Sequence, residues 1–256
     1  MKLWTRFKTA HGRFGFGVLQ NDQILEYRGD MFAHPLPTGA TIALTAVELL
    51  PPCEPTKIVA LWNNYHALGA KLGKSAPVHP LFLIKPASSL AGPGETIRRP
   101  QAYAGKIVYE GELGIVIGKR ATNVSVEAAK DYILGYTIVN DVTAAELIEQ
   151  DPNFAQWTRA KGCDTFGCIG PVIAQGFDWR EGAVVTRLDG VERQNYPLAD
   201  MIFNPWEQVS RISQDMTLLP GDVIAVGTSI GVGSMKEGAT VEVSIEGIGT
   251  LTNRMG

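Results

Sequence analysis

Short apolar segments bounded by glycine and proline recur along most of the chain, and they constrain its fold more than any other feature. Segments of this length and composition are typical of β-strands. They occupy residues 13–20, 24–27, 57–62, 80–86, 109–119, 132–143, 169–175, 183–190, 222–228 and 240–251. Helical spacing is found only after Ser125, which could cap a short helix, and over residues 204–216. The chain is therefore predicted to adopt a β-rich α+β fold.

A proline-rich connector divides the chain into two unequal parts. The segment LLPPCEPTK at residues 49–57 cannot continue a regular element, because proline lacks an amide hydrogen and fixes its own backbone. Before it, residues 1–50 form a small strand-rich piece. After it, residues 51–256 are long enough for one large domain with a full hydrophobic core. We predict a small N-terminal β-rich domain over 1–50 and a catalytic domain over 51–256.

Composition excludes several classes of function. The net charge is −3, and no run of lysine and arginine marks a nucleic-acid surface. No apolar stretch approaches the roughly 20 residues of a membrane span, and the N-terminus does not resemble a signal peptide, so we expect a cytoplasmic protein without a membrane partner. The three cysteines are odd in number and lack CxxC spacing, which argues against a disulfide framework and a zinc site. We expect the cysteines to be small buried hydrophobic residues.

Three carboxylates form a candidate metal site. Glu110 and Glu112 are two positions apart, so on a strand they point to the same face, where they repel unless a cation lies between them. Asp141 ends the next strand. Taken singly, the glutamates also fit an exposed strand face, and the aspartate also fits a helix cap. Together the three provide the all-oxygen ligand set of a hard cation, with Mg²⁺ favoured and Mn²⁺ or Ca²⁺ as alternatives.

Two further segments are weaker signals. Lys161 lies in a glycine-rich, irregular stretch, where a lysine is usually a solvated surface charge. The turn at 227–233 contains several glycines, and its amide groups could hold a carboxylate, although a tight turn needs glycine in any case. Neither segment identifies a site without the carboxylates.

Five segments in order resemble the fumarylacetoacetate hydrolase superfamily, including its hydroxyhepta-dienedioate isomerase and decarboxylase branch. The resemblance spans about residues 55–254 and is found in YEGELGIVIGK, GYTIVNDVTA, KGCDTFGCIGP, GDVIAVGTSIGVG and IEGIGTLTNR. It implies a mixed β-sandwich roll, a homodimer, and Mg²⁺ or a similar ion on Glu110, Glu112 and Asp141. It also implies that Lys161 contacts the substrate or its developing negative charge, and that the turn with Thr228 holds a substrate carboxylate.

The segment NNYHALGAKLGKSAPVHP, residues 63–80, resembles the family's active-site lid but departs from it. Asn64 and Tyr65 match its N-Y-x-x-H-x-x-E motif and are expected to bind substrate. The water-activating histidine and glutamate are replaced by Leu68 and Lys71.

Two consequences follow for the site. His66, two residues before the motif's histidine position, is either a substitute acid–base group or a bystander. The family's NDVSARD motif contains an arginine that contacts substrate, and in this chain Ala145 takes its place. The identity of the substrate is therefore not defined by the motif. Because few large apolar residues anchor the segment 63–80, we expect it to be mobile without ligand.

These observations predict a metal-dependent enzyme that acts on a 2-oxo or β-diketo acid through an enolate. Loss of the water-activating pair favours isomerisation, tautomerisation or decarboxylation. The alternative within the enzyme class is a C–C bond hydrolase of the acylpyruvate or fumarylacetoacetate type. A non-catalytic protein that binds an oxo acid is the alternative from another class.

Overall fold

The computed structural model describes residues 1–256, and strands account for most of its regular structure. In chain order the strands are β1 (Lys2–Thr9), β2 (Phe14–Gln20), β3 (Gln23–Asp30), β4 (Ala33–Ala43), β5 (Val47–Leu50), β6 (Lys57–Trp62), β7 (Leu81–Pro86), β8 (Leu90–Ala91), β9 (Thr96–Ile97), β10 (Ile107–Tyr109), β11 (Gly111–Ile117), β12 (Ile133–Asp141), β13 (Thr143–Ala144), β14 (Gly167–Gln175), β15 (Ala183–Leu188), β16 (Val191–Pro197), β17 (Val223–Ala225), β18 (Gly233–Met235), β19 (Thr240–Ile245) and β20 (Gly249–Met255).

Four α-helices and six 3-10 turns complete the fold. The helices are α1 (His66–Leu72), α2 (Val126–Ala129), α3 (Trp157–Lys161) and α4 (Pro205–Asp215). The 3-10 turns are Leu44–Ala46, Ala87–Ser89, Lys130–Tyr132, Ala145–Leu147, Trp179–Glu181 and Leu198–Asp200. No helix has the length and apolar character that crossing a membrane would require.

Twelve strands form one large mixed sheet. Its order is β4-β3-β2-β1-β14-β12-β11-β17-β6-β7, with β5 beside β1 and β8 beside β14. A second sheet has the order β16-β15-β19-β20-β9, and a small third sheet has the order β13-β10-β18. The strand-rich N-terminal piece is part of the large sheet, because β1 pairs antiparallel with β14.

Hydrophobic residues cover both faces of the central strands. All seven residues of β11 are buried. Leu113 and Ile115 belong to a core cluster of 39 buried residues, whereas Val116 belongs to a second cluster of 12. Glu112 is an even number of residues from Val116, so it shares the face of the smaller cluster.

The β-rich α+β class and most of the predicted strands are confirmed. Several elements have no counterpart in the prediction, among them β1, β4, β5, β16 and helix α3, which contains Lys161, and the segment 240–251 is two strands, β19 and β20. Three further differences are local. The segment 109–119 is not one strand, because the chain changes sheets at Glu110 between β10 and β11. The helix after Ser125 is a single turn that continues as a 3-10 turn, and its predicted cap is present, since Ala128 N donates to Ser125 Oγ. The segment 63–80 contains helix α1, which the sequence pattern did not predict.

Candidate active site

The pairing of β11 with β12 brings the three predicted carboxylates together. Gly111 lies opposite Asn140, which places Glu112 and Asp141 on adjacent strands. Glu110 is fixed at the break before β11 by two hydrogen bonds: its amide donates to Asn140 Oδ1 at 3.0 Å, and its carbonyl accepts from the Asp141 amide at 2.9 Å. One carboxylate oxygen from each of Glu110, Glu112 and Asp141 lies within 4.8 Å of the others.

Two buried lysines neutralise part of this negative charge. Lys161, at the end of α3, donates from Nζ to Glu110 Oε2 at 2.9 Å and also to Asp141 Oδ2. Lys85, on β7, donates from Nζ to Asp141 Oδ1 at 2.6 Å and to the carbonyl of Val142 at 3.2 Å. Both side chains are almost completely buried, so Lys161 is not the solvated surface charge that a lysine in a glycine-rich stretch usually is.

The pKa values follow from burial and these ion pairs. Burial opposes the charge of Lys161, but Asp141, Glu110 and Glu112 outweigh it and raise its pKa. Burial lowers the pKa of Lys85, and Asp141 opposes that effect only in part. Burial alone would raise the pKa of Asp141, yet Lys161 and Lys85 together hold it below its ordinary value.

Glu112 is the carboxylate without a cationic partner of its own. Its Oε2 accepts from the Gly227 amide at 2.9 Å, whereas its buried Oε1 has no hydrogen-bond partner. Burial first, and then the charge of Asp141, raise the pKa of Glu112 well above its ordinary value. An unpaired, buried carboxylate oxygen carries a large energetic cost unless a proton or a cation satisfies it.

The donor set fits a divalent cation. Two carboxylates from neighbouring strands, Glu112 and Asp141, and one from the break before β11, Glu110, supply only oxygen ligands, as hard cations prefer. The unpaired Oε1 of Glu112 offers a free ligand atom. Thr143 Oγ1 supports the site by donating to Glu110 Oε1 at 3.0 Å. Glu110, Glu112 and Asp141 are therefore the residues that could hold a metal.

The turn with Thr228 adjoins the cluster through a network of polar side chains. Thr228 Oγ1 donates to the carbonyl of Gly111 at 3.0 Å and accepts from Gln194 Nε2 at 2.9 Å. Gln194 Oε1 in turn accepts from the Gly111 amide at 3.0 Å. The neighbouring Ser229 Oγ is buried without a partner. The turn is thus tied to the residue between the two glutamates.

Asn64 and Tyr65 are both buried, and they differ in what they contact. Asn64 Nδ2 donates to the carbonyls of Phe203 and Val226 at 3.3 and 2.8 Å, and its Oδ1 accepts from the Phe203 amide at 2.9 Å. These bonds occupy the Asn64 side chain with backbone partners. Tyr65 packs edge-on against Tyr196 at 4.9 Å, and its buried hydroxyl has no partner. Of the two, only Tyr65 retains an unused polar atom.

His66 begins helix α1 and is exposed, with no side-chain hydrogen bond to the carboxylate cluster. The adjacent amide of Ala67 donates to Asp200 at 3.0 Å, which fixes the start of the helix. Leu68, at the family's histidine position, packs against the main core, and Lys71 is exposed. Ala145 lies in the 3-10 turn after β13.

Lys85 is the site residue that sequence reasoning missed. It lies in the apolar segment LFLIKP, where one lysine looks like an exposed position of an edge strand. Its role follows from its contact with the Asp141 carboxylate, which is 56 residues away in the sequence. Only the folded chain brings the two residues together.

The cysteines take no part in the site. Cys53 and Cys168 are buried, and burial raises the pKa of each thiol to about 12, so neither is a thiolate at neutral pH. Cys163 is partly exposed, and burial raises its pKa as well. The interpretation of Cys53 and Cys168 as small buried hydrophobic residues is confirmed.

Comparison with known proteins places this geometry in a family. Residues 57–256 match the fumarylacetoacetate (FAA) hydrolase C-terminal family, and residues 2–52 match the Rv2993c-like N-terminal family. The oxaloacetate tautomerase YisK of Bacillus subtilis is 36% identical over 84% of this chain and 75% of its own.

Solved structures share the whole fold. A 2-hydroxyhepta-2,4-diene-1,7-dioate isomerase from Mycobacterium marinum is 37% identical, covers 100% of this chain and 98% of its own, and superimposes with a TM-score of 0.90. A maleylpyruvate hydrolase from Sphingobium sp. SYK-6, in complex with manganese(II) and pyruvate, is 26% identical over 100% of this chain and 98% of its own, with a TM-score of 0.81. The match over residues 57–256 shows that the chain belongs to the fumarylacetoacetate hydrolase family.

Proposed function

We propose that this protein is a divalent-metal-dependent enzyme that isomerises or tautomerises a 2-oxo acid through an enolate. The observation that carries the proposal is the buried cluster of three carboxylates and two lysines, with a free oxygen on Glu112. The names of two relatives, an oxaloacetate tautomerase and a heptadienedioate isomerase, support the same kind of reaction.

Glu110, Glu112 and Asp141 would hold the ion, for which Mg²⁺ or Mn²⁺ is the best candidate. A divalent ion supplies the positive charge that polarises a 2-oxo group and lowers the energy of an enolate. Lys161 would add a second positive charge on the enolate oxygen. Lys85 would keep Asp141 ionised and oriented, because it binds the Asp141 oxygen that Lys161 does not.

The lid favours proton transfer over hydrolysis. The position at which the family carries a histidine holds Leu68, which packs against the core and cannot activate water. His66 is the only imidazole in α1 and is exposed, without a hydrogen bond to the carboxylate cluster, so in this proposal it would meet the substrate through closure of the lid. In that closed state His66 would move a proton between C3 and the enol oxygen. Thr228 and Tyr65 would bind the substrate's polar atoms.

The test measures proton exchange at C3 of a 2-oxo acid by NMR in D₂O. Mg²⁺ is the added metal, and Mn²⁺ is left out. The wild-type protein should catalyse exchange, and His66→Ala should slow it by roughly ten- to a thousand-fold, the range of a general acid–base group or somewhat less. Exchange at the wild-type rate in His66→Ala would make His66 a bystander. Incorporation of ¹⁸O from water into a cleaved acid would establish a hydrolase, and binding without exchange would establish a non-catalytic binder.

A further inference from the structure

Gln194 on β16 is a buried side-chain amide with hydrogen bonds at both ends. Its Oε1 accepts from the Gly111 amide at 3.0 Å and from Thr186 Oγ1 at 2.9 Å. Its Nε2 donates to Thr228 Oγ1 at 2.9 Å. This one side chain therefore joins the residue between the two glutamates to the turn that contains Thr228.

Backbone groups fix the direction of the Gln194 amide. The Gly111 amide can only donate, so the oxygen of Gln194 must face it. The carbonyls of Ser229 and Ile230 lie 3.5 and 3.4 Å from Nε2 and can only accept, so the nitrogen must face the turn. A reversed amide would place like groups together at both ends.

Two glycines allow β16 to approach the site this closely. A Cβ atom at residue 111 would lie 2.2 Å from Thr186 Oγ1, and one at residue 231 would lie 2.1 Å from the carbonyl oxygen of Arg193. Gly231 also has a φ of 98°, which favours glycine. The backbone on both sides of Gln194 is therefore shaped around this contact.

The orientation of Gln194 determines what the Thr228 hydroxyl can do. The hydroxyl oxygen accepts from Gln194 Nε2, so its single hydrogen is directed to another acceptor. In the structure that acceptor is the carbonyl of Gly111, at 3.0 Å. The same carbonyl also accepts from the Tyr196 hydroxyl. Thr228 can therefore turn its hydrogen to a different oxygen without leaving the Gly111 carbonyl unpaired.

We propose that Gln194 is a positioning residue that commits the Thr228 hydroxyl to donate to the carboxylate of a bound 2-oxo acid. Gln194 itself does not touch the ligand. On binding, Thr228 transfers its hydrogen bond from the Gly111 carbonyl to the ligand carboxylate, and Tyr196 keeps that carbonyl bonded. This inference rests on the proposed function, in which Thr228 binds the substrate.

The experiment measures binding of pyruvate to the Mg²⁺-loaded full-length protein by calorimetry. Thr228→Val should weaken binding at least about tenfold, near the lower limit for a hydrogen bond to a charged group. Gln194→Met is similar in length and cannot donate, and it should weaken binding about fivefold. The double variant should bind within about twofold of Thr228→Val, because Gln194 acts through Thr228. Losses that multiply in the double variant would contradict the proposal.

Gln208→Met is the matched control. Gln208 on α4 is equally buried, and its Nε2 donates to the carbonyl of Phe203 at 2.7 Å, but it has no hydrogen bond to the turn with Thr228. The same substitution there also removes a buried hydrogen bond, so it should lower stability and leave the affinity for pyruvate unchanged. An equal loss of affinity in Gln208→Met would overturn the assignment.

Tyr196→Phe tests the transfer of the hydrogen bond and remains informative if Gln194→Met fails to fold. Without the tyrosine hydroxyl, binding of the ligand by Thr228 would leave the buried Gly111 carbonyl unpaired. The affinity for pyruvate should therefore fall about fivefold, and this loss should disappear in the Thr228→Val background. An unchanged affinity in Tyr196→Phe, or a loss that persists in Thr228→Val, would contradict the transfer.

Exchange at C3 of pyruvate separates this inference from the proposed function. At saturating pyruvate, Gln194→Met should exchange within about threefold of the wild-type rate, because Gln194 acts on binding. Coupled losses of affinity without exchange in the wild type would leave the role of Gln194 standing and remove the reaction. Exchange in the wild type with undiminished affinity in Thr228→Val would leave the reaction standing and remove this inference. If pyruvate does not bind the wild type, the inference is wrong.

Discussion

At the scale of single residues, Lys161 has one role that the structure shows and a second that the proposed function requires. Its ammonium group bridges Glu110 and Asp141, so it balances their charges when no metal is bound. Under the proposed function, the same group would stabilise the enolate formed from the substrate. Removing one partner of a buried ion pair leaves a charge without compensation, which is strongly destabilising.

Lys161→Met should therefore lower the free energy of unfolding of the metal-free protein by about 3 kcal/mol. Saturating Mn²⁺ should restore most of that loss, because the ion replaces the missing positive charge, while C3 exchange stays slow. Urea unfolding with and without Mn²⁺ measures both effects. Lys57→Met, which breaks the pair with Asp222 outside the carboxylate cluster, is the control and should not be rescued by Mn²⁺. Wild-type stability of metal-free Lys161→Met would contradict this role.

The carboxylates could be predicted from the sequence, and their cationic partners could not. Glu110 and Glu112 are conspicuous because two charges interrupt an apolar strand, and Asp141 because it ends the next one. Lys85 has no such local signal, since its environment is set by the pairing of β6 with β7 and by a carboxylate on β12. Burial of a lysine depends on tertiary structure, and a local sequence pattern does not reveal it.

At the scale of secondary-structure elements, Asn64 connects three segments around the site. It lies between β6 and α1, and its side chain bonds to the backbone at Val226, just after β17, and at Phe203, just before α4. Resemblance to the family suggests a substrate contact for this residue. The observed bonds favour a structural role that fixes the root of the lid relative to the turn with Thr228.

Asn64→Ala should lower the free energy of unfolding by at least about 2 kcal/mol, because it leaves buried backbone groups unpaired. Asn204→Ala is a suitable comparison, since Asn204 caps α4 through the amides of Trp206 and Glu207 and its loss should cost only about 1 kcal/mol. Chemical denaturation of both variants gives the comparison. A stable Asn64→Ala protein with a raised KM alone would instead assign Asn64 to substrate binding.

The elements themselves were predicted with uneven success, for physical reasons. Strands such as β6, β12 and β14 have runs of β-branched residues and were predicted close to their observed bounds. The intrinsic helix propensity of α1 is weak, because Gly69 lies within the helix and Gly73 follows its last residue. The helix also has no side-chain cap. It forms because Asp200 binds its first turn and Leu68 packs on the core, which are long-range contacts.

At the scale of the whole molecule, the N-terminal piece and the larger part share one sheet. β1 pairs with β14 on one side and with β2 on the other, and Trp4 and Val18 belong to the same hydrophobic cluster as Ile169 and Val223. A division into two domains at the prolines near residue 50 remains a prediction, since strands from both sides of these prolines belong to the same sheet. The strand order was not predictable, because β1 and β14 are far apart in the sequence.

Deleting residues 1–52 should expose the edge of β14 and part of the smaller hydrophobic cluster. We expect the remaining chain to melt more than about 5 °C below the full-length protein and to associate in solution. Differential scanning calorimetry and light scattering at several concentrations provide the measurement. A monodisperse fragment with an unchanged melting temperature would show that residues 53–256 fold as an independent domain.

The proposed function depends above all on binding of one divalent cation by Glu110, Glu112 and Asp141. Titration of the full-length protein with Mn²⁺ by isothermal calorimetry tests it most directly, with Glu112→Gln as the variant that keeps shape and removes charge. We expect one ion per chain in the wild type and at least a tenfold weaker affinity, a loss on the order of 1.4 kcal/mol, in Glu112→Gln. Absence of binding to the wild type, or equal affinity in the two proteins, would contradict it.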